Sequence, residues 1–293
     1  MRSACIIAGV ILFYTAQALL CKKYADLYPG KKHLASPVLT LFCGLAVALT
    51  ALALAGFRLS PEPLTVRLGL GNAAALVGYY TFIILGAQTG PYSVLTVFSI
   101  AGGIVVPPLS AWLFFGDRPS LYKMLSIAVI LLAVWMVSYR KQEDRTFSAL
   151  FLPVCLLLAL SNGAFGSLLD AQQRLTGPAQ RNAMVAVSYA GLVAVSLVLL
   201  LIRERKGALA AMKQTRASLL ILLACAVTMT VAANLLVLAI RYVNTTVLYA
   251  LENAGAMLLT VLASCLLFRE KLSPLNIAGC AVMAAGMVGV ALL

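Results

Sequence analysis

Ten stretches of about 20 apolar residues, separated by short polar connections, leave this chain few folds to choose from. They lie near residues 3–21, 35–57, 68–86, 92–115, 120–139, 149–169, 182–202, 217–239, 244–268 and 273–293. A run of that length crosses a bilayer as one α-helix, because a helix satisfies its backbone amides within its own segment. Composition agrees: 62% of the 293 residues are hydrophobic and 11% are charged, whereas soluble domains carry about a quarter charged residues. Arg2 ahead of an apolar run mimics a signal peptide, but the run to Cys21 is long for one and reads as the first spanning helix. The expected fold is an all-α integral membrane protein of ten transmembrane helices. The longest polar connections, 22–34, 140–148 and 203–216, leave no room for a sizeable extramembrane domain.

The chain also repeats itself. Shifted by 153 positions, residues 94–120 lie over 247–273 without a gap: Val94 meets Val247, Leu95 meets Leu248, Ala101-Gly102 meet Ala254-Gly255, and Phe115 meets Phe268. The charged hairpin Gly116-Asp117-Arg118-Pro119-Ser120 falls on Arg269-Glu270-Lys271-Leu272-Ser273. This pattern marks an internal duplication, with one five-helix repeat over 1–143 and a second over 144–293. An odd number of helices per repeat forces the second copy upside down, so two inverted repeats are expected.

The net charge of +13 is scattered between apolar blocks and forms no basic face. Anionic lipid headgroups, not nucleic acid, are the expected partners. Odd-numbered connections hold 14 Lys and Arg, against eight in the N-terminus and even-numbered connections; the positive-inside rule taken alone puts both termini outside. Seven cysteines fall singly within or beside apolar segments, without disulfide or metal-site spacing. The single histidine, His33, lies in a Lys-rich connection, and no pair of carboxylates lies at working distance within the spans. Gly279, Gly286 and Gly289 suit close helix packing and form no phosphate loop. No catalytic residues, metal or cofactor are expected.

Polar groups inside the spans are the candidates for function, since a mid-bilayer charge is costly and usually faces a cavity or a partner. One carboxylate qualifies clearly: Glu252, in the ninth helix, with Asn253 after it and Ser99 at the equivalent place in the fourth. Helical spacing puts Tyr249, Glu252, Asn253 and Ala256 on one face. This stripe reads as a solute path in which Glu252 binds a cation or cycles a proton; the alternative is a structural ion pair, with Arg241 or an arginine of the sixth–seventh hairpin. Tyr14, Gln17, Asn72, Tyr79, Tyr80, Asn162, Thr228, Thr230 and Asn234 add polar points. The proposed substrate cavity is therefore Tyr14, Gln17, Asn72, Tyr79, Ser99, Asn162, Asn234, Tyr249, Glu252 and Asn253. The second, fifth, seventh and tenth helices carry few polar groups and are expected at the periphery. Pro107-Pro108 should kink the fourth helix, as either a gating bend or a fixed shape. No single helix gathers enough aromatic residues to argue a cage for a quaternary amine.

Taken together, the ten helices, the five-plus-five duplication and the helix–charged hairpin–helix block resemble the EamA-like members of the drug/metabolite transporter superfamily. The blocks are Leu109 to Pro119 and Leu262 to Ser273. Where that family commonly has Gly-Glu, this chain has Gly116-Asp117 and Arg269-Glu270; its mid-helix proline is matched by Pro107 or Pro108, and Thr260 departs from it. The resemblance implies a central cavity, alternating access, a multi-pass place in the cell membrane, and both termini in the cytoplasm, against the charge count. The compact chain suits a bacterial cytoplasmic membrane. The expected activity is secondary transport, in the efflux direction, of a small amino-acid-like or drug-like substrate, by a monomer or homodimer with a proton as the candidate coupling ion. Alternatives are a facilitator or exchanger of phosphorylated or nucleotide-linked sugars, and a membrane-embedded enzyme or lipid-handling protein.

Overall fold

The computed structural model describes residues 2–90, 92–139, 148–204, 212–268 and 273–292. The Arg269-Glu270 hairpin and the expected repeat boundary at 143–144 lie outside them. Ten long helices follow one another: α1 (Arg2–Leu27), α2 (Lys32–Leu54), α3 (Pro63–Thr89), α4 (Tyr92–Phe115), α5 (Leu121–Ser138), α6 (Phe151–Leu175), α7 (Arg181–Arg203), α8 (Arg216–Ala239), α9 (Thr245–Phe268) and α10 (Pro274–Leu292). All ten are long and apolar enough to cross a membrane. With exposed leucines such as Leu132, Leu156, Leu223 and Leu266 on its surface, the chain is a multi-pass membrane protein.

Several helices outrun their apolar cores. α1 continues past Cys21 because Lys22 and Lys23 can keep their charges at the membrane surface while Tyr24, fully buried, faces inward. α3 begins earlier than expected, with Pro63 in its first turn, where a missing amide hydrogen leaves no bond unmade. α6 runs on to Leu175, and the Gln172 amide donates to the Gly177 carbonyl at 2.8 Å beyond its end. α4 passes through Pro107 and Pro108 as a continuous helix.

The packing closes a ring. α1 lies against α8, α8 against α2, α2 against α7, α7 against α3, α3 against α6, α6 against α4, α4 against α9, and α9 returns to α1. α5 and α10 pair outside this ring, next to α4 and α9. The α5–α10 seam uses the small residues of α10: Gly279 faces Met136 and Val137, Gly286 faces Ile130, and Gly289 faces Ser126. α2 and α7, expected at the periphery, are instead members of the ring. Their polar residues are few but inward: Thr40 and Ser196 bond each other at 2.9 Å, and Ser188 is fully buried.

Candidate functional site: a carboxylate and four phenols inside the helix ring

Glu252 sits about 11 Å from the start of α9 at 1.5 Å per residue. Its Oε2 accepts a hydrogen bond from Asn253 Nδ2 at 2.5 Å, and the same amide donates to the Tyr249 carbonyl at 3.0 Å. Glu252 is only half-buried, and no Lys or Arg pairs with it among the described residues. The arginines named as possible partners are engaged elsewhere. Arg174 pairs with Asp170 at 2.8 Å and Asp117 at 2.6 Å, and Arg241 lies over the Tyr242 ring.

Backbone close to Glu252 is thinned to admit its neighbours. Gly255 lets α1 approach: a methyl there would meet Ile11 at 2.6 Å, and Thr15 on the same helix reaches the Ala256 carbonyl at 3.4 Å. Gly103 of α4 faces two amides, since a methyl on it would lie 2.6 Å from Asn253 Oδ1 and 2.8 Å from Asn162 Nδ2. Asn162 of α6 donates at 2.8 Å to the Ser99 carbonyl of α4. One junction therefore collects Ser99, Asn162, Asn253 and Glu252 from α4, α6 and α9.

Tyr14 of α1, Tyr80 of α3, Tyr189 of α7 and Tyr249 of α9 belong to one hydrophobic cluster. Tyr189 and Tyr249 are 4% and 3% exposed, while Tyr14 and Tyr80 are half-buried and pack against the same cluster. Tyr249 is anchored by a 3.0 Å bond from its hydroxyl to the Gly166 carbonyl. The Tyr14, Tyr80 and Tyr189 hydroxyls bond no described residue.

The other proposed cavity residues are distributed around this centre. Asn72 is fully buried and donates to Ser188 at 3.2 Å, tying α3 to α7, while its carbonyl oxygen has no partner. Gln17 likewise has a buried Oε1 without a partner among the described residues. Asn234 donates to its own helix at Thr230. Tyr79 packs with Leu95, Phe151 and Leu158, and meets Tyr80 edge-on at 5.3 Å. Tyr189 was not among the sequence candidates. It lies in an apolar helix with no carboxylate or amide beside its inner face to mark it.

A second polar group closes one end of the bundle. Thr245 at the start of α9 donates to Asp170 at 2.5 Å, and Asp170 and Asp117 share Arg174, whose guanidinium lies 4.8 Å from the Phe115 ring centre. Gly116, with φ of 75°, ends α4 in the left-handed region and turns Asp117 toward α6. The Arg174 guanidinium holds the Asp117 carboxyl below the usual carboxylate range. Among the described residues no three His, Cys, Asp or Glu side chains gather as a metal site.

No family model matches the chain, and no curated protein matches it. Among solved structures, 29 chains match. One of them, described only as the crystal structure of a protein, superposes with a TM-score of 0.78 over 100% of this chain and 99% of its own, at 17% sequence identity. The chain thus shares its whole fold with a known helical structure, and the likeness extends to the fold alone.

Proposed function

We propose that this chain is a secondary transporter that moves a small metabolite by alternating access through the interior of its helix ring. The observation that carries the reading is Glu252: a carboxylate deep in a spanning helix, half-buried, without a basic partner, facing polar groups from several helices. A structural carboxylate at that depth would be paired, because an uncompensated charge in low dielectric is costly. A binding or coupling group needs to be left unpaired for its ligand.

The duplication supports the same reading. Exchanging α1–α5 with α6–α10 carries each neighbouring pair of the ring onto another such pair: α1–α8 becomes α6–α3, α1–α9 becomes α6–α4, and α2–α7 returns to itself. Two inverted five-helix repeats over 1–143 and 144–293 account for that equivalence, and rocking of one half against the other is the motion such folds use. An EamA-like member of the drug/metabolite transporter superfamily, exporting amino-acid-like or drug-like solutes from a bacterial cytoplasm, remains the reading of the family. The sugar-phosphate alternative is served poorly, since Arg174 is already held by two carboxylates.

The test is transport by the purified chain in proteoliposomes, with a solute mixture under an imposed pH gradient. Gradient-driven accumulation by the native protein, and loss of its pH dependence in Glu252→Gln with the protein still folded, are expected. Unchanged pH dependence in that variant would reject Glu252 as the coupling group, and no transport of any solute would reject the reading as a whole.

A further inference from the structure

Resting on the transporter reading, we propose that Thr245, Asp170, Arg174 and Asp117 form a latch that holds one end of the helix ring shut, in a state open at the other end. The four side chains make one unbroken chain of bonds. Thr245 of α9 donates to Asp170 of α6 at 2.5 Å, Asp170 pairs with Arg174 at 2.8 Å, and Arg174 reaches Asp117, just past the end of α4, at 2.6 Å. One turn deeper, the Tyr249 hydroxyl adds a second tie from α9 to the Gly166 carbonyl of α6 at 3.0 Å. In the ring α6 and α9 flank α4, so these bonds join two helices that are not ring neighbours.

Burial has the same polarity. Successive spans alternate in direction, so the odd-numbered helices start at the latched end. α9 buries Thr245, Thr246, Leu248 and Tyr249 in its first turns, and beyond Gly255 none of its described residues is buried. α3 buries Thr65, Asn72 and Leu76, and beyond Leu76 only Gly86 among its described residues. A helix sealed along its whole length keeps a buried face throughout; these two lose theirs toward the far end. The charges suit a gate. Asp170 is 4% exposed, but Arg174 sits four residues on along the same helix and stays with it when the end opens, so no buried charge is left alone. The bonds that part are Thr245 to Asp170 and Arg174 to Asp117, and the second pair keeps part of its surface in water, where hydration replaces the lost contact. The site is one turn away: the Asn253 amide bonds both Glu252 and the Tyr249 carbonyl.

The experiment bridges the latch in the full-length chain after removal of the native cysteines. Thr245→Cys and Asp170→Cys are joined by oxidation, or by dibromobimane where the thiols stand too far apart for a disulfide. Bridging should abolish uptake in proteoliposomes, and reducing the disulfide should restore it. A second measurement needs neither the bridge nor a known solute. Thr246→Cys, beside the latch and 6% exposed as threonine, is treated with a water-soluble maleimide in the presence and absence of Asp117→Asn. Asp117→Asn should quicken its reaction by about two- to fivefold, the shift in opening that one partly exposed ion pair supplies. Leu192→Cys, at a buried position of α7 away from the latch, should react at the same rate in both, because general loosening would quicken the two cysteines alike. Transport by the bridged protein, an unchanged rate at position 246, or an equal rise at positions 246 and 192 would each overturn the latch and leave the transport reading standing. A native protein that moves no solute would reject that reading, and the latch as its gate with it.

Discussion

Glu252 announces itself in the sequence because carboxylates are scarce inside apolar spans, and its setting explains why it is left unpaired. Its neighbours were less legible. Tyr14 and Tyr249 fall on polar faces, but Tyr189 joins their cluster only through tertiary packing of an apolar helix, so neither spacing nor composition singles it out. Gly103 was silent for a similar reason, since its worth lies in the two amides that face it. Gly103→Val should force Asn162 and Asn253 apart, abolishing transport and lowering stability by about 1–3 kcal/mol; thermal unfolding and proteoliposome uptake measure the two effects. Arg174 provides a contrast with Glu252. Removing it leaves Asp170, 4% exposed, as a buried charge, while removing Asp117 takes away a partly exposed partner. Arg174→Gln should therefore lower Tm clearly more than Asp117→Asn. The pH sign follows from the depressed Asp117 carboxyl: its contribution is complete above the ordinary carboxylate range and is lost as pH falls through the lower folded value. Asp117→Asn should remove that part of the acid-side loss of Tm.

Helix existence was readable from apolar length alone, and all ten spans are where that length puts them. Helix ends were not, because they depend on caps and partners beyond the apolar run. Asn276 shows how. Its side chain and Ser273 cap the start of α10, and its amide also donates to the carbonyls of Met136, Val137 and Tyr139 at 2.9–3.0 Å, sealing the end of α5. An asparagine after a serine suggests a cap; that it closes a different helix is a tertiary fact. Asn276→Leu leaves those carbonyls without their donor and should cost about 1–3 kcal/mol, read as a lower Tm with transport specificity unchanged, since α5 and α10 lie outside the ring. The place of α2 and α7 in that ring was hidden too. Helices that bury small hydroxyls against each other look as apolar as helices that face lipid.

In the molecule as a whole, the ring is shared evenly between the two halves of the sequence. α1–α4 and α6–α9 each supply four members of the ring. The 153-residue register is visible in the sequence; the pairing of helices across the two halves is not, because it depends on which helices touch. A water-accessible path reaching Glu252 through that interior is the central claim. It is tested most directly by cysteine accessibility in a variant lacking the native cysteines, reconstituted in liposomes. A cysteine at Asn162 should react with a membrane-impermeant, water-soluble thiol reagent, while one at Leu132, on the outer face of α5, should not. Equal protection at both positions would contradict a central aqueous path and the transport account with it.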